Sequence, residues 1–488
     1  MSSSNDDVII GLEVHIQLTN LKTKLFCSCS DEYRGKEPNT RVCPVCLGLP
    51  GSLPVINKKA IEFAIRLALA LDCKINESTF FFRKNYFYPD MSKNFQISQY
   101  NKAGGKAFAD GGKISIKLDG KKKEIILNRI HLEEDPARLV HQGDIVTSSF
   151  TLVDYNRSGV ALVEIVSEPV ISSPEEAREY LNQLKSMVQY TEVSDLDLEG
   201  SCRVDANISI KGHPRSEVKN INSFKEVERA LKWEIQRQKN FLKQGRELVQ
   251  ETRGWDEKKR ITFPMRTKEF EKDYRYFPEQ DLVPIEIDKE FVNEVKVNLP
   301  EMPVQRSKRF QKEYKLSEFD SEILVIDKNI ADFYEECTKF EKSFRAEEYK
   351  QICNWLMGDI SRWLNENNKT IRETKLKPNQ LIDLIKYIKD GKITGKIAKS
   401  FVNEMMNGKR ISDIVKKSGK QRISDEILIQ KIARDVIKEN PKIVEDYREN
   451  PKAKEALIGK VMEKTKGQAD PEITRNIMLE LLKELGIE

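Results

Sequence analysis

The apolar residues of this 488-residue chain change their spacing near Pro300. Before that point, strand and helix patterns mix. Ile10 to Leu18 alternates, with Leu12, Val14, Ile16 and Leu18 on one side and Glu13, His15 and Gln17 on the other. A strand with one apolar face produces this period of two. Further strand-like runs fall at 114–118, 124–132, 149–154, 160–166 and 202–210. Asn57 opens a helix whose Ala60, Ile61, Ala64, Ile65, Ala68 and Leu71 recur at helical spacing. Ser173-Pro174-Glu175-Glu176 predicts another, with a cap, an N1 proline and a capping-box glutamate. Asn222 or Ser223 opens a third, ending near Gly245. After Pro300 the strand patterns fade, and runs such as 352–364 and 379–388 read as amphipathic helices. A second break falls around Gly408, and the remainder is helical. Strands and helices without a strict βαβ rhythm predict an α+β fold. The expected divisions are a mixed α/β domain over 1–295, a helical domain over 296–408 and a small all-α tail over 409–488.

Charge limits the partners. Lys and Arg total 83 against 78 Asp and Glu, a net charge of +5. A polybasic binder working by bulk attraction is thereby excluded, but a local nucleic-acid patch is not. From Ile411 to Glu488 the balance is 16 basic to 15 acidic residues, so the tail is no polybasic arm. The segment Met1 to Asp7 is polar and acidic, unlike a secretory leader. The longest apolar-rich stretch, Ala60 to Cys73, is short and carries Glu62 and Arg66, so no membrane span is expected. These features predict a cytoplasmic protein.

Four of the eight cysteines crowd together. Cys27-x-Cys29, thirteen residues, then Cys43-Pro-Val-Cys46 has the spacing of a zinc knuckle. Four thiolates fill a tetrahedron and leave no open position, so such a zinc would be structural. The competing reading is four ordinary thiols. A redox CxxC fits less well, because the other pair would have no role.

Carboxylates mark the other candidate site. Glu13 and His15 are two apart on one strand and share a face. His131-Leu132-Glu133-Glu134-Asp135 ends another strand with three acids, which repel one another unless a cation compensates. Glu164 sits inside Val160-Ala161-Leu162-Val163-Glu164-Ile165-Val166, a run of buried-strand type, where a carboxylate needs a partner. Asp205 lies on the polar side of the 202–210 strand beside Arg203 and Asn207. Lys219-Asn220-Ile221-Asn222-Ser223 then leads into a helix, which suits either an anion or an ordinary cap. Hard oxygen ligands favour Mg²⁺, and Mg²⁺ beside phosphate-binding groups suggests phosphoryl transfer. Yet Gly391-Lys-Ile-Thr-Gly395-Lys396-Ile397 lacks the Walker spacing, and no G-x-G-x-x-G, G-x-S-x-G or amidase signature occurs.

Longer blocks carry a resemblance. They include Gly11-Leu-Glu-Val-His-Ile-Gln-Leu18, Cys43-Pro-Val-Cys-Leu-Gly-Leu-Pro-Gly51, Arg83-Lys-Asn-Tyr-Phe-Tyr-Pro-Asp90 and Gln96-Ile-Ser-Gln-Tyr100. His131-Leu-Glu-Glu-Asp135, Glu164-Ile-Val-Ser-Glu-Pro169, Lys219-Asn-Ile-Asn-Ser-Phe224, Asp273-Tyr-Arg-Tyr-Phe-Pro-Glu279 and Asn354-Trp-Leu-Met-Gly358 follow in order. In these blocks the chain resembles the GatB/GatE family of tRNA-dependent amidotransferase subunits, and it lacks room for the large insertion of the GatE branch. The resemblance implies an N-terminal cradle, a helical domain and a YqeY-like tail that meets tRNA. It implies a carbon–nitrogen ligase that uses ATP to activate the side-chain carboxylate of misacylated Glu-tRNA(Gln) or Asp-tRNA(Asn). Ammonia would come from glutamine through a glutaminase A subunit, with a small C subunit completing a heterotrimer. His15, Glu134 and Glu164 are the implied Mg²⁺ ligands, with Glu13 acting through water. Asp205 and Lys219 are implied catalytic groups with Glu13, and Asn220, Asn222 and Ser223 implied ATP contacts. The resemblance adds structural zinc on Cys27, Cys29, Cys43 and Cys46. The alternative is a zinc-containing tRNA-binding scaffold without chemistry of its own.

Overall fold

A computed structural model describes residues 7–87, 91–141, 150–221, 223–267, 274–341, 344–418, 425–465 and 467–485. The chain divides into two compact units, Met1–Pro303 and Val304–Glu488.

The first unit is built on a sheet with ten strands among the described residues: β1 (Val8–Gln17), β2 (Lys74–Ile75), β3 (Ala109–Asp110), β4 (Lys113–Leu118), β5 (Lys121–Glu134), β6 (Ala161–Ser167), β7 (Cys202–Ile210), β8 (Ser216–Ile221), β9 (Glu251–Asp256) and β10 (Ile261–Thr267). Their order across the sheet is β10-β9-β8-β7-β1-β6-β5-β3-β2, with β4 paired to β5. Of these strands only β8 and β9 pair in parallel; the other neighbours are antiparallel. The alternation read from Ile10 to Leu18 thus belongs to a central strand. Leu12, Val14 and Ile16 are buried to 1% exposure or less and face the core.

Helices α1 (Lys58–Ala70), α2 (Pro174–Thr191), α3 (Phe224–Lys243) and α4 (Lys289–Val297) complete this unit's main elements. Each starts on a side chain that accepts a bond from the first turn. Asn57 caps Lys59 and Ala60, Ser173 caps Glu176, Ser223 caps Glu226 and Asp288 caps Phe291. Buried Ala177, Leu181, Leu184 and Val188 of α2 and Val227, Ala230 and Leu231 of α3 join the same core as β1. The apolar sheet face is therefore covered by helices, and the polar face is left for other work. A smaller sheet of Phe82–Asn85, Phe95–Ser98 and Phe277–Pro278 lies beside β5.

The expected division at 295 falls within this unit. Val295 of α4 is buried in the sheet-domain core, so the unit runs on to Pro303. The second unit is helical among its described residues and has two cores. One gathers Phe310, Leu324, Tyr334, Ile352, Leu381, Phe401 and, past Gly408, also Ile411, Ile414 and Val415. The helix Ile411–Ser418, assigned by its sequence to the tail, thus packs with the helices before it. The tail's own core begins at Ile429 and includes Val436, Leu457, Val461, Met478 and Leu482. The 352–364 run is helical but passes through a π-turn at Leu356–Ile360, which keeps Leu356 and Ile360 both buried.

Candidate active site and metal centre

The register of the central strands assembles the site. His15 lies opposite Glu164 on β6 and Arg203 on β7, and Glu13 lies opposite Asp205. Glu164 is in turn opposite His131 on β5. Residues directly across a ladder share a face, so four strands contribute to one polar surface. His15 Nε2 stands 3.3 Å from Glu133, 3.6 Å from Glu164 and 3.6 Å from Glu13. Glu164 also meets His131 Nδ1 and Arg129, each at 3.4 Å. Ser98 donates to Glu133 at 2.7 Å, and His131 Nε2 lies 2.6 Å from Asn101 Oδ1. One strand over, Lys219 Nζ bridges Asp205 at 3.1 Å and Glu217 at 3.3 Å. Arg203 reaches Asp205 at 3.3 Å.

Electrostatics follow from this crowding. Burial, with Glu164 beside it, pushes the Glu13 carboxyl up to about 7. Burial disfavours the charged form of His15, but bonds to Glu133 and Glu164 outweigh it and hold the imidazolium well above the ordinary histidine value. Burial likewise opposes ionisation of Glu164, yet His131 and His15 keep it well below the usual carboxylate range. Asp205 is held low against its burial by Arg203 and Lys219. Apart from Glu13, the face is a set of ionised groups balanced by each other.

A divalent cation fits one part of this face. Ligand atoms of Glu13, His15 and Glu164 all lie within 4.8 Å of one another. His15 Nδ1 is buried and has no hydrogen-bond partner. Two carboxylates and one imidazole form a donor set suited to a hard divalent ion such as Mg²⁺.

The expected ligand Glu134 stands elsewhere. Its side chain accepts the Ile97 N–H at 2.9 Å and pairs with buried Lys93. Adjacent strand residues point to opposite faces, so Glu133, not Glu134, shares the surface with His131. Glu133, His131 and Arg129 join the site beyond the residues read from the sequence, although counting by two from His131 picks out Glu133. Asp205 and Lys219 do meet, with Glu217 as an unforeseen third partner. Asn220 has a left-handed backbone at φ +63 and is exposed. The Ser223 hydroxyl accepts the Glu226 N–H as a helix cap. Asn222 lies outside the described residues.

The cysteine cluster closes as its spacing predicts. One sulfur from each of Cys27, Cys29, Cys43 and Cys46 lies within 4.8 Å of all the others. The Pro44–Leu47 turn brings Cys43 and Cys46 to 3.9 Å, and the Cys43 N–H donates to Cys46 Sγ at 3.1 Å. Gly48 ends the turn at φ +67, where a Cβ would come within 2.6 Å of Lys93. The bond from Cys27 pulls the Cys46 thiol down to about 4, helped by the Cys43 backbone and the charge of Lys24. Cys27 is pushed up by the same bond, and Cys29 by burial to about 11. All four sulfurs fit a tetrahedral zinc.

Known proteins resemble the chain over nearly its whole length. Residues 8–293 match the family described as GatB/GatE catalytic domain, and residues 332–482 match the GatB domain that carries the YqeY name. The chain is 46% identical over 477 residues to the B subunit of the aspartyl/glutamyl-tRNA(Asn/Gln) amidotransferase of Sulfurisphaera tokodaii, covering 97% of this chain and 99% of that one. It is 47% identical over 482 residues to the subunit of the same name from Saccharolobus solfataricus, covering 98% and 100%. For the Thermoanaerobacter pseudethanolicus subunit the values are 48% over 487 residues, covering 98% and 99%. With more than half of its length inside the catalytic-domain match, and the histidine–carboxylate face within that half, the chain belongs to the GatB/GatE family.

Proposed function

We propose that this chain is the subunit of a tRNA-dependent amidotransferase that activates a side-chain carboxylate for amidation. The observation that carries this reading is His15 enclosed by Glu13, Glu133 and Glu164, with Lys219 and Asp205 on the same sheet face. The relatives are named for aspartyl/glutamyl-tRNA(Asn/Gln), so the substrate is Glu-tRNA(Gln), Asp-tRNA(Asn) or both. A carboxylate oxygen leaves poorly at neutral pH. Transfer of the γ-phosphoryl group of ATP to that oxygen gives an acyl phosphate and ADP, and ammonia then expels phosphate to leave the amide. Ammonia is released from glutamine by a glutaminase A subunit, and a small C subunit completes the heterotrimer. The setting is the cytoplasm, and no helix among the described residues is long and apolar enough to cross a membrane.

Each group has a task. Glu13, His15 and Glu164 hold the metal, and Glu133 takes the part expected of Glu134. A bound Mg²⁺ supplies positive charge to phosphoryl oxygens in the transition state. Lys219 and Arg203 face the same charge, and Asp205 with Glu217 fixes where Lys219 stands. Asn220 contacts the nucleotide, the resemblance makes Asn222 a further ATP contact, and Ser223 caps the helix that follows. Zinc on the four cysteines is structural. A tRNA-binding scaffold without chemistry has no use for a buried Glu164 between two histidines.

The test is reconstitution with the A and C subunits, mischarged tRNA, ATP and Mg²⁺. Glu164→Gln is expected to lower tRNA-dependent ADP release by at least about a hundredfold, the scale of losing a transition-state electrostatic group. Unchanged ADP release in that variant removes the metal-site reading.

A further inference from the structure

Lys24 is among the largest fully buried side chains of the protein, at 0% exposure. Its ammonium donates to two backbone carbonyls, Arg41 at 2.8 Å and Tyr155 at 3.2 Å. Among the described residues it forms no ion pair. A buried ammonium with only neutral acceptors is costly unless a countercharge lies near. The nearby acids do not serve. Asp135 is engaged by Arg157 at 2.7 Å, Glu134 is paired with Lys93, and Asp31 leaves a buried oxygen without a partner instead of reaching Lys24.

The cysteine cluster is the remaining candidate. Gly159, at φ +83, shows how close it is. A Cβ built there would sit 3.5 Å from Lys24 Cδ, 3.5 Å from Cys46 Cβ and 3.7 Å from Oε2 of Glu134, whose other oxygen holds Lys93, so Lys24 and Cys46 pack against one point. Lys24 N–H also donates to the Cys29 carbonyl at 3.0 Å. The carbonyl of Arg41 lies two residues before Cys43. Lys24 therefore touches the backbone beside both cysteine pairs. Four thiolates around a dication carry excess negative charge.

We propose that Lys24 is the built-in counter-ion of the four-cysteine centre, the fixed positive charge that balances an all-thiolate zinc site on its buried, Cys46 side. Zinc and Lys24 each make the burial of the other tolerable. This rests on the zinc reading above, and the test separates the two.

Zinc content and release to a chromogenic pyridylazo chelator are measured on the full chain, wild type and Lys24→Met, alongside thermal unfolding. Wild type is expected to hold one zinc, and Lys24→Met to release it about tenfold faster or more, the scale of losing an outer-sphere partner. In a background with all four cysteines changed to serine, Lys24→Met is expected to raise the melting temperature, because an unpaired buried charge is removed. In wild type it is expected to lower it. Asp31→Asn should leave both effects of Lys24→Met in place. Wild type without zinc overturns the zinc reading itself. Zinc-bearing wild type with unchanged release from Lys24→Met overturns only the counter-ion. So does a melting shift of the same sign in both backgrounds, or a stabilising Lys24→Met in the Asp31→Asn background.

Discussion

At the scale of single residues, one position separates two neighbouring glutamates. Glu133 reaches His15 over the intervening strand β6, and Glu134 pairs with Lys93 on the other side of its strand. Glu133→Gln is expected to weaken Mg²⁺ binding about ten- to a hundredfold, as losses beside a metal ligand do, and Glu134→Gln to leave it near wild type. Isothermal titration of the purified chain reads both. The protonation state of the metal-free site gives a second expectation. Burial raises Glu13 to about 7, and bonds to Glu133 and Glu164 raise His15. Both groups must lose a proton to bind a cation. Mg²⁺ affinity should therefore rise with pH through about 7, with proton release on binding. Titrations at pH 6 and pH 8 in buffers of different ionisation heat measure the released protons directly. Equal affinity at the two values contradicts the assignment of Glu13 and His15 as ligands.

At the scale of elements, the alternation of β1 is enough to put Glu13 and His15 together on a polar face. The cap signals at Asn57, Ser173 and Ser223 likewise mark three helix starts. These are local rules, and the fold obeys them. Register is not local. That His15 stands opposite Glu164 and Glu13 opposite Asp205 depends on strands paired across some 150–200 residues, which no short period encodes. The Lys219–Asn220–Ser223 segment shows the reverse case, because a motif suited to anions also caps a helix. Ser223→Ala should cost about 1 kcal/mol of stability through the lost cap on α3. Chemical denaturation of the chain measures it. Ile16→Ala, at the buried face of β1, should cost about 2–5 kcal/mol by the same measurement.

At the scale of the whole chain, the boundaries read from composition were shifted by packing. Neither α4 nor the Ile411–Ser418 helix announces in its own sequence which core its apolar stripe will join. A chain ending at Gly408 exposes the surface that Ile411, Ile414 and Val415 cover, whereas one ending at Ser418 keeps it buried. The first is expected to melt several degrees below the second, since a few buried aliphatic side chains contribute about 1.5–3 kcal/mol each. Equal melting temperatures would place that helix outside the core.

The position of β1 has a consequence for synthesis. The strand at the middle of the sheet leaves the ribosome before the sheet's other strands, and β7, which completes its pairing, ends at Ile210. At translation rates of ~5–20 residues per second the wait is roughly 10–40 s. Until β6 emerges, Ile10, Leu12, Val14 and Ile16 form an apolar strand with neither edge occupied, and one edge stays open until β7 follows, the kind of segment that seeks pairing with other nascent chains. Holding these residues apart until β6 and β7 emerge is a task for chaperones, so the yield of soluble protein is governed by the order of synthesis as well as by the stability of the finished fold.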